Sequence, residues 1–197
     1  MKYKRARGGA VSMNALGEKH MEYSDFIYVF WVKTGLEEKA AEEIKTAFND
    51  EVTLLQLYVE RFFRKQGKVK KVIYNAFPSY VLIVTKISNE QFIIRARECV
   101  CKSNAIIRLL CYGDTDEAAM HEGERAAIDH LWQDKNCIEV STGFFEGDHI
   151  VITEGHFKGR ESVIKELHPR SRQAIVEIEF LGGIRQMTVG MEIIKKL

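Results

Sequence analysis

At 197 residues the chain is long enough for one or two domains with a buried core. With 46% hydrophobic and 29% charged residues it has the composition of a soluble globular protein, and its net charge of +1 excludes any global attraction to a polyanion. No run of about eighteen apolar residues is present to span a membrane, and the N-terminus lacks a signal-peptide core, so a cytoplasmic chain without a membrane partner is expected.

Residues 1–24 differ from the rest. Lys2, Lys4, Arg5, Arg7 and Lys19 stand against Glu18 and Glu22, and Gly8-Gly9-Ala10 has no apolar period. A disordered basic tail is expected there, or an upstream start with Met21 as the natural one, or a remnant of cloning. The sharper alternative is a basic arm adding non-specific affinity for nucleic acid.

Phe26–Val32 (FIYVFWV) is a β-branched and aromatic run of strand length, ended by Lys33-Thr34-Gly35. Leu36, Ala40, Ile44 and Phe48 recur every fourth residue, which predicts an amphipathic helix over 36–48 with Glu37 and Glu38 in its first turn. Extended segments over 52–58 and 61–72 follow, around a charged tip at 64–68. A proline turn at 75–79 leads into a strong strand from Tyr80. A helix over 88–97, a strand over 105–110 and a helix over 116–133 complete the unit, with a linker at 135–145 that holds a short strand near Cys137. This order predicts an α+β sandwich, an antiparallel sheet backed by helices.

The four cysteines, Cys99, Cys101, Cys111 and Cys137, include no CxxC pair and no histidine at zinc-ligand spacing. Cys99 and Cys101, read as part of a strand, would share a face as a buried reduced pair. No catalytic residue, metal site or cofactor is expected, and a non-enzymatic protein follows. A thiol or metal enzyme using Cys99 and Cys101 is the enzymatic alternative.

Residues 147–163 read GDHIVITEGHFKGRESV. Ile150 and Ile152 alternate, Gly155 and Gly159 break the period, and Val163 and Ile164 resume it. Period-two alternation broken by glycines describes a bent hairpin in a small curved sheet. Further strands are expected over 176–180 and 184–189, with a turn at Leu181-Gly182-Gly183. Between them and the hairpin, Lys158, Arg160, Lys165, Arg170 and Arg172 outnumber Glu161 and Glu166.

The 147–163 run resembles the KOW motif of SH3-like barrels. Upstream, the Lys33-Thr34-Gly35 strand end, the Glu- and Lys-rich helix and Phe77-Pro78-Ser79-Tyr80-Val81 resemble the N-terminal domain of the NusG family, where the turn is usually FPGYV. The resemblance covers nearly all of the chain after the tail. Its details are most similar to the specialised LoaP-type antiterminator branch. It implies a polymerase-binding domain over 25–134 and an SH3-like KOW β-barrel over 146–197, in a monomer.

By that resemblance, Trp31, Tyr80 and Leu82 would dock on the β′ clamp helices of RNA polymerase, and Arg61, Arg64 and Lys65 would brush the non-template DNA. In the family's housekeeping factor two exposed aromatics recruit Rho or a ribosomal protein; Arg160 and Leu181 stand at the matching places here. A guanidinium weakens an apolar dock and suits phosphate or guanine. Lys158, Arg160, His168, Arg170, Ser171, Arg172, Gln173 and Arg185 are therefore expected to form one surface for a structured leader RNA, with Arg160 beside the arginine-rich loop. The implied function is processive antitermination. The alternative is a general elongation factor whose KOW domain recruits Rho or the ribosome.

Overall fold

The computed structural model describes residues 25–132 and 136–194. The expected tail at 1–24 lies outside them. Every residue of β1 (Phe26–Val32) is β-branched or aromatic, a composition that packs well on both faces of a pleated strand. The strand sits inside a four-stranded antiparallel sheet, in the order β2 (Thr53–Leu55), β5 (Tyr80–Thr85), β1, β6 (Ile106–Leu109).

Alternation sorts its side chains between two cores. Tyr28, Phe30 and Val32 face α1 (Glu37–Ala47) and α2 (Asn89–Lys102), packing with Ile44, Phe48 and Phe92. Phe92 is the hub, stacked at 3.7 Å on Tyr28 and 4.6 Å on Phe48. Ile27 and Val29, with Leu82 and Val84 opposite, point the other way into a second core.

That second core joins the two halves of the chain. It receives Ile128 and Leu131 from α3 (Glu122–Trp132), and Val59 from β3 (Tyr58–Lys65), which pairs with β4 (Lys68–Asn75) through a tight turn at Gln66 and Gly67. Both turn residues have positive φ, 51° and 74°, as a two-residue hairpin of this twist requires. It also receives Val176, Ile178, Phe180, Met187, Val189 and Met191 from a five-stranded sheet. That sheet comprises β8 (Ser141–Glu146), β9 (His149–Glu154), β10 (Ile164–His168), β11 (Gln173–Phe180) and β12 (Gly183–Ile193), in the order β10-β11-β12-β8-β9.

Several expectations need correction. The segment expected as a linker is largely strand: the short strand expected near Cys137 is β7 (Cys137–Ile138), which joins β3 and β4 in a third, three-stranded sheet, and β8 of the five-stranded sheet already begins at Ser141. The helix expected over 116–133 begins only at Glu122. Before it, Asn89 binds the backbone in a non-helical path, accepting from the Ala118 and Ala119 N–H groups at 2.9 and 3.1 Å and donating to the Asp116 carbonyl at 2.8 Å. The helix expected over 88–97 continues to Lys102, so Cys99 and Cys101 lie on a helix about 200° apart rather than on one strand face. Cys99 is buried, with its thiol pKa pushed up by burial and then by Glu43, while Cys101 is exposed.

β9 and β10, the sheet's two edges, are consecutive in sequence. Glu161 spans the gap between them: its carboxylate accepts from the Ile152 N–H at 3.1 Å and the Gly159 N–H at 3.2 Å. Backbone hydrogen bonds, the one to its own N–H foremost, hold its pKa below the ordinary 4.5. A depressed carboxyl pKa contributes stability that is present above the unfolded-state value and lost as pH falls through the folded-state value. Denaturant midpoints taken from about pH 5 down to about pH 2 should therefore fall less steeply for Glu161→Gln than for the wild type. Equal slopes would remove Glu161 from the acid response.

Candidate functional site

The Trp31–Tyr80–Leu82 set is built on two adjacent strands. Trp31 lies opposite Tyr80 and Val29 opposite Leu82, so the three share one face of the first sheet. The turn that feeds β5 is held in a defined shape. Ser79 adopts φ 68°, the left-handed region that favours glycine and strains a residue with a side chain. Its backbone N–H donates to Glu37 at 3.0 Å and its hydroxyl meets that of Thr34 at 2.7 Å, so side-chain contacts offset backbone strain here.

The three residues differ in access. Trp31 is 38% exposed at the rim, with the Arg108 guanidinium 5.6 Å from its ring centroid. Leu82 is 3% exposed. Tyr80 is half-buried, and Phe180 of β11 meets it edge-on at 5.5 Å while stacking on Phe77 at 5.1 Å. The second sheet therefore covers most of the face expected to dock.

A polar latch secures that cover. The β11–β12 turn uses Leu181 and Gly182, both at positive φ (50° and 68°). The Gly182 N–H donates at 2.7 Å to Glu124 of α3, a buried carboxylate that also accepts the Tyr112 hydroxyl. That phenol in turn accepts the His121 N–H at 2.8 Å and stacks on its ring at 3.7 Å. Burial first, and the bond to Glu124 second, push the Tyr112 pKa up.

The cations are distributed otherwise than expected. Arg61 is half-buried, its guanidinium 4.0 Å from the Tyr74 ring centroid and its Nε without a partner among the described residues. Arg64 and Lys65 are exposed at the end of β3. Lys68, the last residue of the expected tip, and Lys70 and Lys71 of β4 are exposed nearby; Lys70 and Lys71 are a contribution that sequence reasoning missed.

The expected RNA set is divided. Arg170, Ser171 and Arg172 occupy the β10–β11 turn, where the Ser171 and Arg172 N–H groups donate to the His168 and Pro169 carbonyls at 3.1 and 3.2 Å. His168 lies 3.4 Å from Glu166, and Gln173 begins β11 opposite Gly190. Lys158 and Arg160 precede the opposite end of this hairpin. Arg185 pairs with Ile178, five residues and about 17 Å along β11 from Gln173. Arg160 instead borders a groove of about 350 Å³ between α3 and the second sheet, with Ala127, Leu131, Phe157 and Ile184 among its lining. Arg160 and Arg172 thus stand at opposite ends of the β10–β11 hairpin.

Among the described residues no group of three or more His, Cys, Asp or Glu is arranged to hold a metal, and no helix is long and apolar enough to cross a membrane. No protein-family profile and no curated protein matches the chain. Among solved structures it is similar to one described as "Domain interaction in Thermotoga maritima NusG", at 20% identity and a TM-score of 0.44, over 85% of this chain and 93% of that one.

Proposed function

We propose that the chain is a transcription elongation factor of the antiterminating kind, which holds RNA polymerase through the first sheet and a structured leader RNA through the 168–173 loop. The observation that carries the reading is this loop: two arginines, a serine and a glutamine presented on a tight turn, with Arg170 and Arg172 exposed. Such a set suits phosphates together with base edges or 2′-hydroxyls. The polymerase half rests on the shared face of Trp31, Tyr80 and Leu82. Since Phe180 covers Tyr80, full docking through that face requires the second sheet to move aside.

A second reading has its own observation. Ile184 is 61% exposed beside the groove at α3, an apolar surface suited to a protein partner such as Rho or a ribosomal protein, as in a general elongation factor.

Filter retention of stem-loop leader RNAs by the full chain separates the two. Arg170→Ala combined with Arg172→Ala should weaken retention at least tenfold, and an unchanged affinity would remove the RNA half. Titration with Rho and the ribosomal small subunit should then show no binding; saturable binding to either would favour the second reading.

A further inference from the structure

The β3–β4 hairpin carries six cations, Arg61, Arg64, Lys65, Lys68, Lys70 and Lys71, against one acid, Glu60. Directly opposed residues of an antiparallel pair share a face. The register therefore places Glu60, Phe62, Arg64, Val69 and Lys71 on one side, and Arg61, Phe63, Lys65, Lys68 and Lys70 on the other. Arg172 arrives on that side from more than a hundred residues away, its guanidinium 5.1 Å from the Phe62 ring centroid and 3.3 Å from Glu192.

The backbone enforces the arrangement. The Met191 N–H donates to the Arg172 carbonyl at 3.0 Å, tying the loop to β12. One residue earlier, a Cβ on Gly190 would lie 2.6 Å from the Glu60 carbonyl oxygen, so only glycine lets β12 approach β3 this closely. Lys71 is paired with Glu60 at 3.0 Å and Arg172 with Glu192, whereas Arg64 and Arg170 form no ion pair among the described residues.

We propose that the Phe62, Arg64 and Lys71 side of the 58–75 hairpin and the 168–173 loop form one continuous basic face, which holds a single RNA stem across both halves of the chain. This rests on the RNA reading above and extends it, because Arg64, which the sequence assigned to DNA, stands on the same side of the hairpin as Arg172, which it assigned to RNA. Arg64 and Lys71 are long-stemmed charges suited to phosphates and indifferent to sequence. Ser171 and Gln173 add hydrogen-bonding groups able to meet 2′-hydroxyls, which favours RNA over DNA. The ligand is accordingly a duplex stem recognised by backbone and shape.

The test uses the full chain and three probes: a stem-loop RNA of one helical turn, unpaired RNA of equal length, and duplex DNA of the same sequence. Affinities are measured across a salt series. Arg64→Ala and Arg170→Ala should each weaken stem-loop binding about 3- to 10-fold and flatten the slope of log affinity against log salt by roughly 0.9. Phe62→Leu keeps every cation but removes the seat of Arg172, and should weaken binding about 3-fold. If Arg170→Ala acts and Arg64→Ala leaves affinity and slope unchanged, the loop binds alone and the joint face is refuted while the RNA reading stands. Preference for duplex DNA or unpaired RNA also refutes it. No binding to any RNA defeats the RNA reading itself.

Discussion

Phe180→Ala is expected to lower the unfolding free energy by about 3–5 kcal/mol, the cost usual for emptying a buried aromatic site. Phe180 is 1% exposed and touches rings from the other half of the chain, Phe77 and Tyr80, so the deletion opens a void where the two sheets meet. Neither sheet can close the gap alone, since each is held by its own strand ladder. Guanidinium titration of the variant should show a lower midpoint, and Tyr80 should become more accessible to surface nitration. A loss below about 1 kcal/mol would mean that the second sheet contributes little to the shared core. If the polymerase reading is right, the same variant should bind polymerase more tightly despite being less stable, because the covering ring is gone.

Glu124→Ala should cost about 2–4 kcal/mol, because two donors then lose a charged acceptor that is itself buried. The Gly182 N–H and the Tyr112 hydroxyl both point at this carboxylate, and no other acceptor for either is present among the described residues. Glu124→Gln keeps the side-chain carbonyl and should recover part of the loss. The phenol supplies an independent readout. A raised pKa means that Tyr112 contributes stability fully below the ordinary phenol value of 10.0, and that this contribution is lost as pH rises above it toward the folded-state value. Tyr28, raised by burial, adds to the same alkaline loss, so the latch is measured by the difference between wild type and Tyr112→Phe. Identical alkaline profiles would show that the latch is not coupled to folding.

The elements of the chain were largely legible in its sequence, and the candidate site only in part. FIYVFWV, the four-residue period of Leu36, Ala40, Ile44 and Phe48, and the Gln66-Gly67 tip identify a strand, a helix and a hairpin by local chemistry alone. The misplaced boundaries have tertiary causes. Asn89 captures the backbone at Ala118 and Ala119, so the helix begins late. Ser141 to Gly143 find partners in β12 and β9, so the end of the expected linker is strand.

The same division holds for function. The number and kind of cations, and the aromatic face on β1 and β5, were determined by residue order, since alternation and turn chemistry act within a few positions. Which of those groups meet was decided by long-range packing. Gly190 lets β12 come against β3, which seats Arg172 on Phe62 and leaves Arg160 at the far end of its hairpin beside α3. Phe180 likewise covers Tyr80 because the two sheets bury one core between them, a choice set by apolar area and shape that local periodicity does not encode.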